Sequence, residues 1–313
     1  MTHIPRTDLD VFALNLGGNT FGWTSDRDVS FAVLDAYVAG GGNFIDTADL
    51  YSVWVDGHAG GESETVVGDW MAERGNREQV IVATKVGGLP TRRGLGADNV
   101  DAALDESLQR LRTDHVDLYY AHYDDEDTPI EAQVRTAHAL VQSGRVRHLG
   151  LSNYRPERMR EWFETADKLD LTRPVAIQPQ YNLLHRRAFE QGYAEIARDF
   201  DVAVFPYYAL ASGVLTGKYR SADDLTGRAR RGFAEKLLTD EALAVVDVVE
   251  EVARGRKAEP ATVALAWLLA KGVTAPIASA SRPDQLPALL AAPELTLSPA
   301  EVRALDTASN PFA

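Results

Sequence analysis

The chain has 313 residues, 45% of them hydrophobic, enough to bury a large core as one barrel or as two smaller units. Its 32 Lys and Arg against 46 Asp and Glu give a formal net charge of −14, which argues against nucleic acid or an anionic membrane surface as the main partner. With no cysteine there is no disulfide, thiolate nucleophile or cysteine-ligated metal, and the seven histidines show no HExxH-like spacing, so no metal is expected. The opening MTHIPRTDLDVF lacks a basic segment followed by an apolar core. No run approaches the roughly 18 apolar residues of a membrane span, so a cytoplasmic protein is expected.

Along the chain, apolar strand-like runs alternate with amphipathic stretches. The runs are ALNLG (13–17), NFID (43–46), VIVATK (80–85), VDLYYAH (116–122), VRHLGLS (146–152), VAIQPQ (175–180), VAVFPY (202–207) and APIASA (275–280). Helices are predicted over 98–112, where Val100, Leu104, Leu108 and Leu111 share a face, and over 129–144, which ends in a glycine. Another starts at Pro260, a residue well tolerated in a first turn, and the last covers 299–309. Eight repeats of strand then helix fit a closed barrel. An open doubly wound sheet would usually carry a GxGxxG turn after its first strand, and here GGNTFG has the wrong spacing. The longest irregular stretch, 208–236, far exceeds an ordinary βα loop and reads as a binding loop or lid.

Four residues stand at or just past the ends of these runs: Asp46 and Tyr51, Lys85, and His122. Singly each has an ordinary explanation, as a turn residue, a packing aromatic or a core histidine, although a lysine after five apolar residues is unusual. In an eight-stranded α/β barrel the C-terminal strand ends carry the active site, which is where all four fall.

At these positions the chain resembles the aldo-keto reductases, whose catalytic tetrad of Asp, Tyr, Lys and His is matched by Asp46, Tyr51, Lys85 and His122. The resemblance continues through GGESETVVGDWM (60–71) and through TPIEAQVRTAHALVQSGRVRHLGLSNY (128–154), and covers nearly the whole chain. It implies a (β/α)8 TIM barrel as one domain over 1–313, with an N-terminal β-hairpin and long βα loops. It also implies NADPH as cofactor, with NADH possible, and a small carbonyl compound as substrate. By the same resemblance Ser152, Asn153 and Gln178 hold the nicotinamide carboxamide and Tyr207 stacks on its ring. Leu210, Ser212, Gly213 and Lys218 run along the pyrophosphate, Ser281 and Arg282 take the 2′-phosphate, and Gln285 lies near adenine. Two positions depart from many relatives: Ser279 replaces a glycine, and Leu289 replaces an asparagine that reaches adenine. Four residues follow the last predicted helix, so closure over cofactor is expected from 208–236. Trp23, Trp54 and His58 are the other expected pocket walls.

The chemistry accounts for the tetrad. Hydride addition leaves charge on the carbonyl oxygen, so a proton donor is needed whose pKa lies below the roughly 10 of free tyrosine. Tyr51 is the expected acid, Lys85 the cation that lowers its pKa, Asp46 the carboxylate that keeps Lys85 charged, and His122 the donor that orients the substrate. Aromatic walls favour aromatic or medium-chain aldehydes, whereas Asp49, Asp56 and His58 would suit polyols. Among rivals, a glycosidase pairing Asp46 with Glu62 or Glu64 leaves Lys85 without a role. A regulatory subunit that binds cofactor without turnover, as potassium-channel β subunits do, is disfavoured by an intact His122.

Overall fold

The computed structural model describes residues 1–227, 229 and 231–313. A short hairpin, β1 (Thr2–His3) with β2 (Asp10–Val11), precedes the barrel strands β3 (Asn15–Gly17), β4 (Phe44–Asp46), β5 (Ile81–Val86), β6 (Val116–Ala121), β7 (Val146–Ser152), β8 (Ala176–Gln178), β9 (Ala203–Val204) and β10 (Ile277–Ala278). These eight pair in parallel, β3 to β9 in chain order and β10 against β3. The two ends of the sheet meet, because Ile277 donates its N–H to Pro206 O at 2.9 Å and Ala275 its own to Val204 O at 3.4 Å. The result is the expected (β/α)8 barrel. Each of these eight strands lies on one of the apolar runs and most span only part of theirs; β8, β9 and β10 are the ones whose runs contain a proline. Pro179, Pro206 and Pro276 interrupt them, and proline has no N–H to give to a ladder.

Helices α1 (Arg27–Ala39), α2 (Glu62–Arg74), α3 (Ala97–Leu111), α4 (Ile130–Gln142) and α5 (Pro156–Leu169) follow β3 to β7 in turn. Asp26 caps α1 by accepting from Val29 N–H, and the buried face of α3 carries the four residues expected from its spacing. After α6 (Ala194–Asp199), the stretch 208–236 contains a few short turns of helix and α7 (Arg231–Ala234). Helices α8 (Asp240–Arg256), α9 (Pro260–Ala270), α10 (Leu286–Leu290) and α11 (Pro299–Ala308) complete the described part. No helix among the described residues is long and apolar enough to cross a membrane.

The hydrophobic contacts form two sets. Between sheet and helices lies the larger one, and inside the barrel lies a second that joins Phe44, Leu118, Tyr120 and Phe205 to Ile4, Leu9 and Val11 of the hairpin region. The hairpin therefore contributes apolar side chains to the barrel interior. Gly150 makes room there, since a Cβ at that position would lie 2.3 Å from the Tyr120 ring. The opposite, C-terminal end of the strands is polar.

Candidate active site

Asp46 is the last residue of β4, Lys85 the penultimate residue of β5, and His122 the first residue beyond β6. Their strands are neighbours, so three short runs deliver three side chains to one place. Lys85 is fully buried and uses each of its three ammonium donors: on Asp46 Oδ2 at 2.6 Å, on Thr47 O at 2.7 Å and on Tyr51 Oη at 3.2 Å. The other oxygen of Asp46 accepts from Gln178 Nε2 at 2.8 Å. Both members of the ion pair are thus hydrogen-bonded as well as paired, which is what a buried pair requires.

Tyr51 is carried on a loop rather than a strand. Glu62, at the start of α2, holds that loop by accepting from the N–H groups of Ser52, Ala59 and Gly60. Glu64, two residues on, is fully buried between Thr84 and Arg110. Neither glutamate lines the cavity, so neither faces Asp46 as a second glycosidase carboxylate would. The His122 ring lies 6.1 Å from that of Tyr51 and stacks on Tyr123 at 4.7 Å. Its Nδ1 is buried without a hydrogen-bond partner.

A second hydrogen-bonded set adjoins the tetrad. Asn153 donates from Nδ2 to His122 O at 2.8 Å, and its Oδ1 accepts from Tyr207 Oη at 2.8 Å. Ser152 donates from Oγ to Gln178 O at 2.9 Å. Four residues expected around a nicotinamide are therefore linked to each other and to Asp46 and His122.

Most of these side chains open onto a cavity of about 630 Å³. Asp46, Tyr51, His122, Ser152, Asn153, Gln178, Tyr207, Leu210, Ser212, Gly213, Lys218, Gln285, Trp23 and Trp54 line it, and so do the two departures, Ser279 and Leu289. Lys85 lies behind Asp46 and Tyr51 rather than in the wall. Ser281 and Arg282 fall outside the lining but next to Gln285, whose Oε1 accepts from Ser281 N–H at 2.8 Å. Arg282 is exposed and pairs with Asp284 at 3.1 Å. His58 is turned away, with Nδ1 3.1 Å from Ser52 Oγ, and does not line the cavity. Asp49 does not line it either and is buried. Ser279 donates to Asn19 Oδ1 at 2.7 Å over Gly17, where a Cβ would come within 2.6 Å of the serine hydroxyl.

Sequence reasoning missed part of the wall. Tyr123, Tyr208 and Phe233 line the cavity and are 46%, 42% and 54% exposed. The available signal was position, since Tyr123 follows His122, Tyr208 follows Tyr207, and Phe233 lies in the long 208–236 stretch. With Trp23 and Trp54, whose rings meet edge to face at 5.5 Å, they make an aromatic mouth.

Burial dominates the electrostatics. It pushes the Tyr51 phenol well above its ordinary value, with the Asp46 carboxylate adding to the rise. The expected lowering by Lys85 is thus outweighed in the protein alone, and Tyr51 stands as a protonated donor. Burial, then the Lys85 ammonium, holds His122 well below the usual histidine range, so it is a neutral imidazole with one donor and one acceptor nitrogen.

These residues fit a nicotinamide cofactor: the cavity combines a cluster of amide and hydroxyl groups beside the tetrad with the left-handed backbone of Ser212 and Gly213, where a Cβ on the glycine would crowd Lys218 Nζ at 3.0 Å. Residues 13–310 match the model of the Aldo/keto reductase family. The chain is 34% identical to Protein tas of Escherichia coli K12, over 94% of this chain and 93% of that protein. It is 32% identical to L-glyceraldehyde 3-phosphate reductase of Escherichia coli O157:H7, over 96% and 90%. A probable voltage-gated potassium channel subunit beta from rice is 30% identical over 91% and 88%.

Proposed function

Because the chain belongs to the aldo/keto reductase family, we propose that it reduces aldehydes or ketones to alcohols with NADPH, with Tyr51 as the general acid. The observation that carries this reading is the Asp46–Lys85–Tyr51 chain of contacts at 2.6 and 3.2 Å, open to the cavity through Tyr51. A reduced nicotinamide, when bound, supplies the hydride. Ser152, Asn153 and Gln178 would hold its carboxamide, and Tyr207 would pack against it. His122 donates one hydrogen bond to the substrate oxygen, and Tyr51 breaks its O–H bond to give that oxygen its proton. Solvent returns the proton to Tyr51, so one carbonyl, one NADPH and one proton become one alcohol and one NADP⁺. In the reverse direction Tyr51 is the base.

The remaining assignments are those that the family resemblance implies. Leu210, Ser212, Gly213 and Lys218 would hold the pyrophosphate, Gln285 the adenine, and Arg282 with Ser281 the 2′-phosphate, for which Arg282 would give up its contact with Asp284. Trp23, Trp54, Tyr123, Tyr208 and Phe233 would receive apolar or aromatic carbonyl compounds. The rice relative supports a second reading, a cofactor-binding subunit with little turnover. Loss of NADPH absorbance over a panel of aldehydes and ketones decides between the two. Turnover on aromatic aldehydes is expected, and tight NADPH binding without consumption on any carbonyl would favour the subunit.

A further inference from the structure

Asp49 stands between Asp46 and Tyr51 in sequence, and no step of the proposed reduction uses it. It is 1% exposed, and no hydrogen bond of normal geometry reaches either carboxyl oxygen, although the backbone N–H of Leu50 favours the charged form. A buried carboxylate with no partner is among the costliest groups a protein can hold, whereas the neutral acid is far cheaper. Its place is fixed by backbone: Thr47 donates its N–H to Ala83 O at 2.8 Å and Asp49 its own to Lys85 O at 3.4 Å, so the chain continues alongside β5 beyond Asp46. Gly60 closes over it, where a Cβ would lie 2.7 Å from Asp49 O.

The charged and titratable groups around Asp49 come from every neighbouring element. Glu64 of α2 repels its charge, whereas Arg110 of α3 and Lys85 of β5 attract it. Tyr119 of β6 has a second buried, unpartnered hydroxyl and feels the Asp49 charge, as do Tyr51 and Tyr123. Arg110 is already committed to Glu64 at 2.7 Å and Lys85 to Asp46 at 2.6 Å, so no cation is left to neutralise Asp49 closely among these neighbours.

We infer that Asp49 is a positioning residue that serves reduction as a neutral carboxylic acid, and that its ionisation weakens Tyr51 as a proton donor. The inference rests on the reductase reading of the site. An added negative charge opposes formation of the Tyr51 phenolate, so proton transfer to the substrate oxygen becomes harder. Burial, followed by Glu64, raises the Asp49 carboxyl to about 7, which puts the change within the working range.

Two measurements test this. The pH dependence of kcat for reduction should show a fall of up to about tenfold around pH 7 in the native enzyme, absent in Asp49→Asn, which is neutral throughout and nearly the same shape. A native-like fall in Asp49→Asn would overturn the proposal. Separately, NMR of the native protein with carboxyl-13C aspartate should show one resonance titrating near pH 7, and it should vanish in Asp49→Asn. This readout needs neither turnover nor a folded variant to give its first answer, and absence of any aspartate titrating above about pH 6 would overturn the proposal by itself. If no carbonyl is turned over, the reductase reading and the role in proton transfer fail together, while the resonance still reports whether the buried acid is neutral.

Discussion

Gln178 donates through Nε2 to Oδ1 of Asp46 at 2.8 Å, the carboxylate oxygen that Lys85 does not use. A residue proposed to hold the nicotinamide carboxamide therefore also fixes the carboxylate behind the proton donor. The proposed cofactor contact and the tetrad geometry would then share one side chain.

Gln178→Leu should expose that sharing. Oδ1 of Asp46 would be left buried without its donor, a loss of about 1–3 kcal/mol. Urea unfolding should show it without cofactor present, alongside a lower kcat. Stability equal to the native protein would mean that the Gln178 contact does not support Asp46.

Asp49→Asn should change stability in a pH-dependent way. The folded-state pKa is raised from 3.8 to about 7, so the folded protein holds a proton that the unfolded chain releases. The contribution is fully present below about pH 4, declines as pH rises and is lost above about pH 7. Relative to Asp49→Asn, the native protein should lose on the order of a few kcal/mol across that window, read by denaturant unfolding at several pH values. A difference that stays constant with pH would contradict the assignment.

Cofactor choice should follow Arg282. An Arg–phosphate contact is expected to favour NADPH over NADH by roughly 10–100-fold in affinity, a preference that Arg282→Ala removes. Fluorescence quenching titrations with both cofactors measure it. Equal affinities in the native protein would remove the 2′-phosphate role from Ser281 and Arg282.

The 208–236 stretch should order on cofactor binding. It brings Ser212, Gly213, Lys218 and Phe233 to the cavity, and Arg220 ties it to α8 through Asp247 and Glu250. Arg228 and Arg230, which the sequence adds to its basic character, lie outside the described residues. Hydrogen exchange should slow across this stretch on adding NADPH, with little change at 310–313. Lid opening would then limit turnover. Equal protection with and without cofactor would count against a lid.

The barrel was legible because each barrel strand lies on an apolar run, and six of the eight runs end in a polar residue whose placement the strand order dictates. Asp46, Lys85 and His122 could be located in this way without side-chain detail. Tyr51 could be located only by its spacing from Asp46, since Glu62, not a strand, holds its loop. His58 was misread as a wall because sequence spacing does not show that it turns to Ser52. Asp49 was misread as a polar pocket residue because an aspartate in a loop is ordinarily exposed, and its burial beside Glu64 depends on how α2 and α3 pack. The pKa direction of Tyr51 was also beyond sequence, since it depends on how far burial outweighs a cation 3.2 Å away.

The central claim is that Tyr51 supplies the proton, and Tyr51→Phe tests it most directly. The substitution removes one hydroxyl and leaves the Lys85–Asp46 contact and the cavity wall in place. Steady-state reduction of an aromatic aldehyde should fall by about 10²–10⁴-fold, with NADPH affinity, titrated by fluorescence, nearly unchanged. Turnover within a few-fold of the native enzyme would show that the proton comes from elsewhere.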